Sequence, residues 1–331
     1  MIQVSDLSTY RSGPGQRTAI TIGNFDGCHL GHQELVAATK QYANQFGARP
    51  LAVTFAPRPE AFFHGLFDEP LLCTAEQKTR CFDECGLELQ VIQRFDANFS
   101  RISHIEFYRC YLLEQLAARA LVVGDNFRFG YQRLGDTAYL RQCSIADRLS
   151  LTISPALQQG GHSISSTRIR AMLQEHGDVS NAAMMLGRPY MLEGCIAKGE
   201  QLGRRLGFPT ANLGEVQQLL PKSGVYAGFV WLQDETGSIQ KPAMTALPAN
   251  VYPAVFNIGI RPTLHQASPP VRVEAHLLAG TFGTDALYGL RAGFYLAHRL
   301  RDETKFADTE ELRQQIARDC KQAGRLLGLT V

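Results

Sequence analysis

The feature that most constrains the fold is a change of hydrophobic period part-way along the chain. Up to Leu186, short apolar runs alternate with stretches of helical period; from Tyr190 onward, strand-length runs follow one another with Gly, Pro and Asn turns between them. Two periods require two kinds of core. The length agrees, because 331 residues is about twice a typical domain of roughly 150 residues. These patterns place the boundary at residue 186, giving domains 1–186 and 187–331.

In the first domain Ala19–Ile22 reads as a strand that breaks at Gly23, and Leu35, Val36, Ala38, Tyr42, Ala43 and Phe46 continue as a helix to Gly47. Leu51–Phe55 is a second strand, Thr74 opens a helix, and Leu89–Ile92 is a third strand. A Ser103/Glu106 capping box precedes a helix to Leu116, and Leu121–Val123 is a strand ending at Gly124. Strands separated by helices of this length predict an α/β domain with a doubly wound parallel sheet. The second domain offers the strands Tyr190–Ile196, Val225–Leu232, Ala254–Ile258 and Val271–Leu278, which predict an antiparallel β-barrel. A terminal helix from about Thr309 to Leu327 has Asp308, Glu310 and Glu311 at its start and Arg318, Lys321 and Arg325 later, matching the helix dipole.

Composition removes several classes. Lys and Arg total 33 against 31 Asp and Glu, so the surface is not built to hold nucleic acid. The start lacks a basic segment followed by an apolar run, and no stretch approaches 18 apolar residues; a cytoplasmic protein with no membrane contact is expected. Eight cysteines stand at 28, 73, 81, 85, 110, 143, 195 and 320 without CxxC spacing, the pattern of buried free thiols. A monomer or weak homo-oligomer is expected.

Ligands of a doubly wound sheet bind beyond the C-terminal ends of its strands, and three clusters fall there. The first runs from Gly23 to His32 (Gly-Asn-Phe-Asp-Gly-Cys-His-Leu-Gly-His). Its glycines permit tight turns, its helix-start amides can face an anion, and His29 and His32 sit three apart. On spacing alone the two imidazoles serve a phosphate, cap a helix or line a core; no third metal ligand is near. The second, Gly124–Gly135, follows a strand and reads as a substrate loop. The third, Ile164-Ser-Ser-Thr-Arg-Ile-Arg170, puts hydroxyls at a helix start with Arg168 and Arg170 beside them; alone, it reads equally as a cap.

In the second domain Gly199–Asn212 is rich in backbone donors and cations and ends in Thr210 and Asn212, whose neutral oxygens suit Mg²⁺. It is not a Walker A loop, and read alone it serves equally as a long hairpin turn. Glu274 lies in a strand among apolar neighbours. There it is either a partly buried carboxylate able to take a proton from an alcohol, or an outward-facing solvated one.

Taken in order, Gly23–His32, Pro57-Arg-Pro59, Gly124–Gly130, Ile164–Arg170, Phe208-Pro-Thr-Ala-Asn212 and Asn257-Ile-Gly-Ile-Arg-Pro-Thr263 resemble the bacterial bifunctional riboflavin kinase/FAD synthetase family over nearly the whole chain. The resemblance implies ATP-dependent phosphorylation of riboflavin to FMN in the second domain. In the first it implies adenylyl transfer from ATP to FMN, giving FAD and pyrophosphate. It implies Glu274 as catalytic base, Thr210 and Asn212 as holders of Mg²⁺ and ATP phosphates, and His29 and His32 as catalytic residues on the adenylyl side. It further implies nucleotide or flavin contacts at Gly23, Phe25, Asp26, Gly27, Asn126, Ser165, Ser166, Thr167 and Arg170, and at Gly203, Arg204 and Pro209.

The chain departs from the family at Ala56, where relatives often carry an acid, and at Asn126, where many carry Asp. The acidic run expected after Glu274 is reduced to Asp285. Two other readings stand beside this one: a flavin- or nucleotide-binding regulator that lost the chemistry, and a kinase with a silent first domain.

Overall fold

The computed structural model describes residues 1–199, 202–233, 250–260, 271–279 and 286–329. The chain divides into two compact units, Met1–Ser166 and Thr167–Val331.

The first unit is built on strands β1 (Ile2–Val4), β2 (Thr18–Ile22), β3 (Arg49–Ala56), β4 (Leu89–Arg94), β5 (Ala118–Gly124) and β6 (Ser150–Ser154). They form one sheet in the order β1-β4-β3-β2-β5-β6, with every pairing parallel. From β2 the chain steps outward through β3 and β4, then returns to the other side of β2 for β5 and β6. The strand order therefore reverses between β2 and β5, and a crevice opens at their C-terminal ends. All five residues of β2 are buried, as a strand covered on both faces requires.

Helix α1 (Leu30–Phe46) follows β2 and stops at Gly47, whose left-handed φ of 57° ends it. After α2 (Pro59–His64), helix α3 (Ala75–Glu84) starts with a complete capping box between Thr74 and Gln77. Ser103 Oγ accepts the Glu106 N–H at 3.1 Å, and the helix it starts, α4 (His104–Glu106), runs on as a π-type segment over Phe107–Gln115. Helix α5 (Thr137–Ala146) precedes β6.

The second unit opens with α6 (Ser166–Ala171), whose first residue belongs to the first unit, and α7 (Val179–Leu186). Strands β7 (Tyr190–Ala197), β8 (Ala211–Gly214), β9 (Gly224–Leu232), β10 (Val251–Ile260), β11 (Val271–Leu277) and β12 (Arg291–Arg301) close into an antiparallel barrel in the order β7-β8-β11-β10-β9-β12. The short helix α8 (Leu202–Arg205) lies between β7 and β8. Two strands of the barrel, β8 and β12, are absent from the sequence expectation, as are β1 and β6 of the first sheet. β8 has only four residues. β12 buries Phe294, Tyr295 and Leu296 in succession, and its register against β9 shifts twice, so no alternation marks it.

Helix α9 (Thr309–Leu326) is capped by Asp308, whose carboxylate accepts the Glu311 N–H at 2.8 Å. It packs Cys320 and Ala323 against Val225, Ala227 and Val255 of the barrel wall. Arg301 grips Asp319 of α9 with three hydrogen bonds, Nε to Oδ1 at 3.0 Å and to Oδ2 at 3.2 Å, and Nη2 to Oδ2 at 2.8 Å. Asp319 is almost fully buried, and removing one partner of such a pair costs about 3–5 kcal/mol.

All eight cysteines are free thiols. Hydrogen bonds to the Cys73 and Cys81 thiols, with burial behind them, hold the Cys28 pKa well above its usual value; burial pushes Cys320 up to about 11. Cys110 is exposed. Because the thiolate is the reacting form, iodoacetamide at pH 8 is expected to label Cys110 first. Cys28 and Cys320 should stay unmodified until the protein unfolds, as peptide mass spectrometry would show.

Candidate active sites

The loop leaving β2 turns back sharply before α1. Phe25 and Cys28 adopt left-handed φ values of 50° and 43°, and Gly27 one of 80°. Such positions in non-glycine residues cost on the order of 1–3 kcal/mol each and persist only where neighbours over-determine them.

Here the neighbours do. The Asn24 carbonyl accepts from Lys78 Nζ at 2.6 Å and from the Thr54 hydroxyl at 3.3 Å. The buried Asp26 carboxylate accepts the Leu72 N–H at 2.9 Å and lies 3.8 Å from the Arg58 guanidinium. The Gly27 N–H donates to Cys73 Sγ at 3.1 Å, and Ser166 Oγ donates to the Asp26 carbonyl at 2.9 Å. Phe25 is fully buried, edge-on to Phe82 and His32.

His29 is the N-cap of α1, its Nδ1 accepting the His32 N–H at 3.3 Å. An accepting Nδ1 places the ring proton of a neutral imidazole on Nε2. The His29 and His32 rings stack with centroids 3.6 Å apart. The helix-capping reading of the pair is thus realised for His29, at the start of a helix where an anion is favoured.

The loops after β2 and β5 meet at a cavity of about 590 Å³. Gly23, Asn24 and Asn126 line one part; Phe63, Phe95 and Phe99 are among its aromatic walls. Polar loops at the edge of an aromatic chamber suit a flat ring with a charged tail. The three phenylalanines were not foreseen. A usable signal existed at Phe95, which directly follows the C-terminal end of β4, on the ligand edge of the sheet.

In the barrel the site follows from register. Asn212 of β8 pairs with Glu274 of β11, Glu274 with Asn257 of β10, Asn257 with Val225 of β9, and Val225 with Arg301 of β12. Directly paired residues project to one face, and all five line a cavity of about 430 Å³. The alternate residues Ala275, Phe256 and Tyr226 turn to the opposite face and are fully buried, Phe256 meeting Phe294 at 5.2 Å. Glu274 is half-buried in this cavity, together with Thr210 and Gly203. Leu312, Ile316 and Asp319 of α9 form part of the same wall.

His276, two residues beyond Glu274 on the same face, pairs its Nδ1 with the Pro209 carbonyl at 2.9 Å and meets the Phe208 ring edge-on. It ties the Phe208–Asn212 segment to β11. The loop backbone is tightly packed: a Cβ on Gly199 would come within 2.2 Å of the Asn212 amide, and one on Gly203 within 2.4 Å of the Phe208 carbonyl.

Gly203, Thr210, Asn212 and Glu274 therefore converge, while Arg204 and Pro209 stand exposed beside them. Gly23, Phe25, Asp26, Gly27, His29, His32 and Ser166 share one loop system in the first unit, and Asn126 faces the adjoining cavity. Ser165 is half-buried just before α6, and Thr167 and Arg170 follow Ser166 along that helix. Arg261-Pro-Thr263 and Asp285 lie outside the described residues. Among the described residues no group of three or more His, Cys, Asp or Glu side chains could hold a metal ion. The hydroxyl of Thr210, the amide of Asn212 and the carboxylate of Glu274 are nonetheless hard oxygen donors of the kind Mg²⁺ accepts when phosphates complete its shell.

A capped HxGH helix at the switch point of a parallel sheet, followed by a barrel with hydroxyl, amide and carboxylate groups in one cavity, defines a two-module nucleotide-dependent transferase. The FAD synthetase family model matches residues 13–168 and the riboflavin kinase family model residues 186–327. Over 327 residues the chain is 34% identical to the bifunctional riboflavin kinase/FMN adenylyltransferase of Escherichia coli (strain K12), covering 99% of this chain and 98% of the relative. Enzymes of the same name from Pseudomonas fluorescens and Bacillus subtilis (strain 168) are 32% and 31% identical, each match covering at least 92% of both chains. The chain belongs to the bifunctional riboflavin kinase/FMN adenylyltransferase family, and its two modules are those of flavin cofactor biosynthesis.

A solved structure titled macrolide-efflux protein from Streptococcus pneumoniae superposes with a TM-score of 0.81 at 26% identity, covering 98% of each chain. Among the described residues of the present chain no helix is long and apolar enough to cross a membrane.

The fit at Gly199 supplies a test. Gly199→Ala forces the Asn212 side chain to move, and riboflavin phosphorylation is expected to fall by about 10- to 100-fold, while FMN adenylylation by the same preparation stays unchanged. Both are read by chromatography of the flavins.

Proposed function

We propose that the barrel cavity binds riboflavin and ATP and that the 5′-hydroxyl of riboflavin attacks the γ-phosphate of ATP there. Glu274 accepts the hydroxyl proton as the new bond to the γ-phosphorus forms, the bond from that phosphorus to the bridging oxygen breaks and ADP leaves. Thr210 and Asn212 would hold Mg²⁺ against the ATP phosphates, where the ion supplies charge neutralisation. Gly203, Arg204 and Pro209 shape the loop over the phosphates, and Arg301, locked by Asp319, fixes the far wall. The observation that carries this reading is the single cross-strand row that sets Asn212, Glu274 and Asn257 side by side.

In the first module the FMN phosphate attacks the α-phosphate of ATP and pyrophosphate leaves. A phosphate monoester already carries about −1.5 to −2 charge at neutral pH, so the step needs stabilisation of charge more than a strong base. His29 Nε2, His32 and the amides at the start of α1 supply donors. Gly23, Phe25, Asp26 and Gly27 form the turn that carries them, and Asn126 contacts the flavin in the aromatic chamber. Ser165, Ser166, Thr167 and Arg170 complete the phosphate contacts from the start of α6.

The adenylyl-transfer domain ends at residue 186 and the kinase domain occupies 187–331. The enzyme works in the cytoplasm as a monomer or weak homo-oligomer; eight free thiols suit a reducing compartment.

Incubation with riboflavin, ATP and Mg²⁺ is expected to yield FMN first and FAD afterwards, followed by chromatography over time. FMN that never becomes FAD would restrict the chain to kinase activity, and neither product would leave a binding protein.

A further inference from the structure

Lys78 lies within α3 and is only 8% exposed. Its ammonium has two oxygen partners, the Asn24 carbonyl at 2.6 Å and the Thr54 hydroxyl at 3.4 Å. Both are neutral, and among the described residues no carboxylate pairs with it. Taking a cation out of water without a counter-charge is costly, so its position calls for a reason beyond packing.

The Asn24–Phe25 peptide bond is trans, so the Asn24 C=O and the Phe25 N–H point in opposite directions. By drawing the carbonyl toward α3, Lys78 turns the Phe25 N–H away from α3. Neither the Asn24 nor the Phe25 N–H finds an acceptor among the described residues, and Gly23 and Asn24 line the aromatic chamber. The Phe25 ring, buried against Phe82 of the same helix, clamps the other side of that peptide. The left-handed Phe25 backbone is thus held at both ends by α3.

From this geometry we infer that Lys78 is a positioning residue for adenylyl transfer: it orients the Asn24–Phe25 peptide so that backbone N–H groups face the phosphates as they react. The inference rests on the reading that the Gly23–His32 loop handles those phosphates. Lys78 touches no reacting atom; it acts through the peptide.

The test supplies FMN, ATP and Mg²⁺ to the full-length protein. Lys78→Met is expected to lower kcat for FAD formation by about 10- to 100-fold while KM for FMN stays within about twofold. Lys78→Arg should restore kcat to within about threefold of the parent, because Lys78 borders a cavity of about 160 Å³ into which the larger head fits. A Lys78→Met protein that keeps its kcat overturns the inference, as does one that loses kcat and FMN affinity together without rescue by Arg, the mark of a merely structural residue. His29→Ala, assayed alongside, separates the two claims. Activity lost in His29→Ala but kept in Lys78→Met removes the Lys78 inference alone; activity kept in both removes the reading of the loop as well.

Discussion

In an antiparallel ladder a residue projects to the same face as the one paired directly opposite, and a slip of one residue sends it to the other face. The barrel depends on this constraint throughout. Asn212, Glu274, Asn257, Val225 and Arg301 come from five strands spread over some ninety residues of sequence, yet their pairing sets them in one band around the wall. The same alternation turns Ala275, Phe256 and Tyr226 into the packed interior. The Arg301–Asp319 pair then fastens α9 over the band, so one register determines core, cavity and lid together.

The first unit solves a related problem by topology rather than register. Reversal of strand order between β2 and β5 leaves a crevice where two loops converge, and the α1 terminus there is favourable for anions. A loop with two non-glycine residues at positive φ does not hold that shape by itself. Lys78, Leu72, Cys73 and Ser166 bind its carbonyls, carboxylate and amide from outside. The strained segment is therefore held by contacts from outside the loop, and its shape is a property of the surrounding scaffold.

Local signals were legible in the sequence. The helix after the HxGH loop ends at Gly47 as its periodicity indicates, the Thr74 capping box forms, and Asp308 caps the last helix. The change from mixed to strand-only periods along the chain matched an α/β sheet followed by a closed barrel. What escaped was non-local or unpatterned. β12 hides because both of its faces are buried and its register shifts. The contacts of Asp26 with Leu72 and of Gly27 with Cys73 span 46 residues each, a separation over which no period connects the partners. Glu274 could be read as solvated or as cavity-facing until its pairing with Asn212 and Asn257 decided the face.

On the proposed reading each half of flavin cofactor synthesis has its own constellation, one built by register and one by topology. The most direct measurement supplies riboflavin and ATP to His29→Ala, and FMN and ATP to Glu274→Gln, each with Mg²⁺, and follows the flavins by chromatography. His29→Ala is expected still to make FMN but scarcely any FAD, and Glu274→Gln still to convert FMN to FAD while failing to phosphorylate riboflavin. A single substitution that silenced both conversions, or a Glu274→Gln protein with undiminished kinase activity, would contradict that reading.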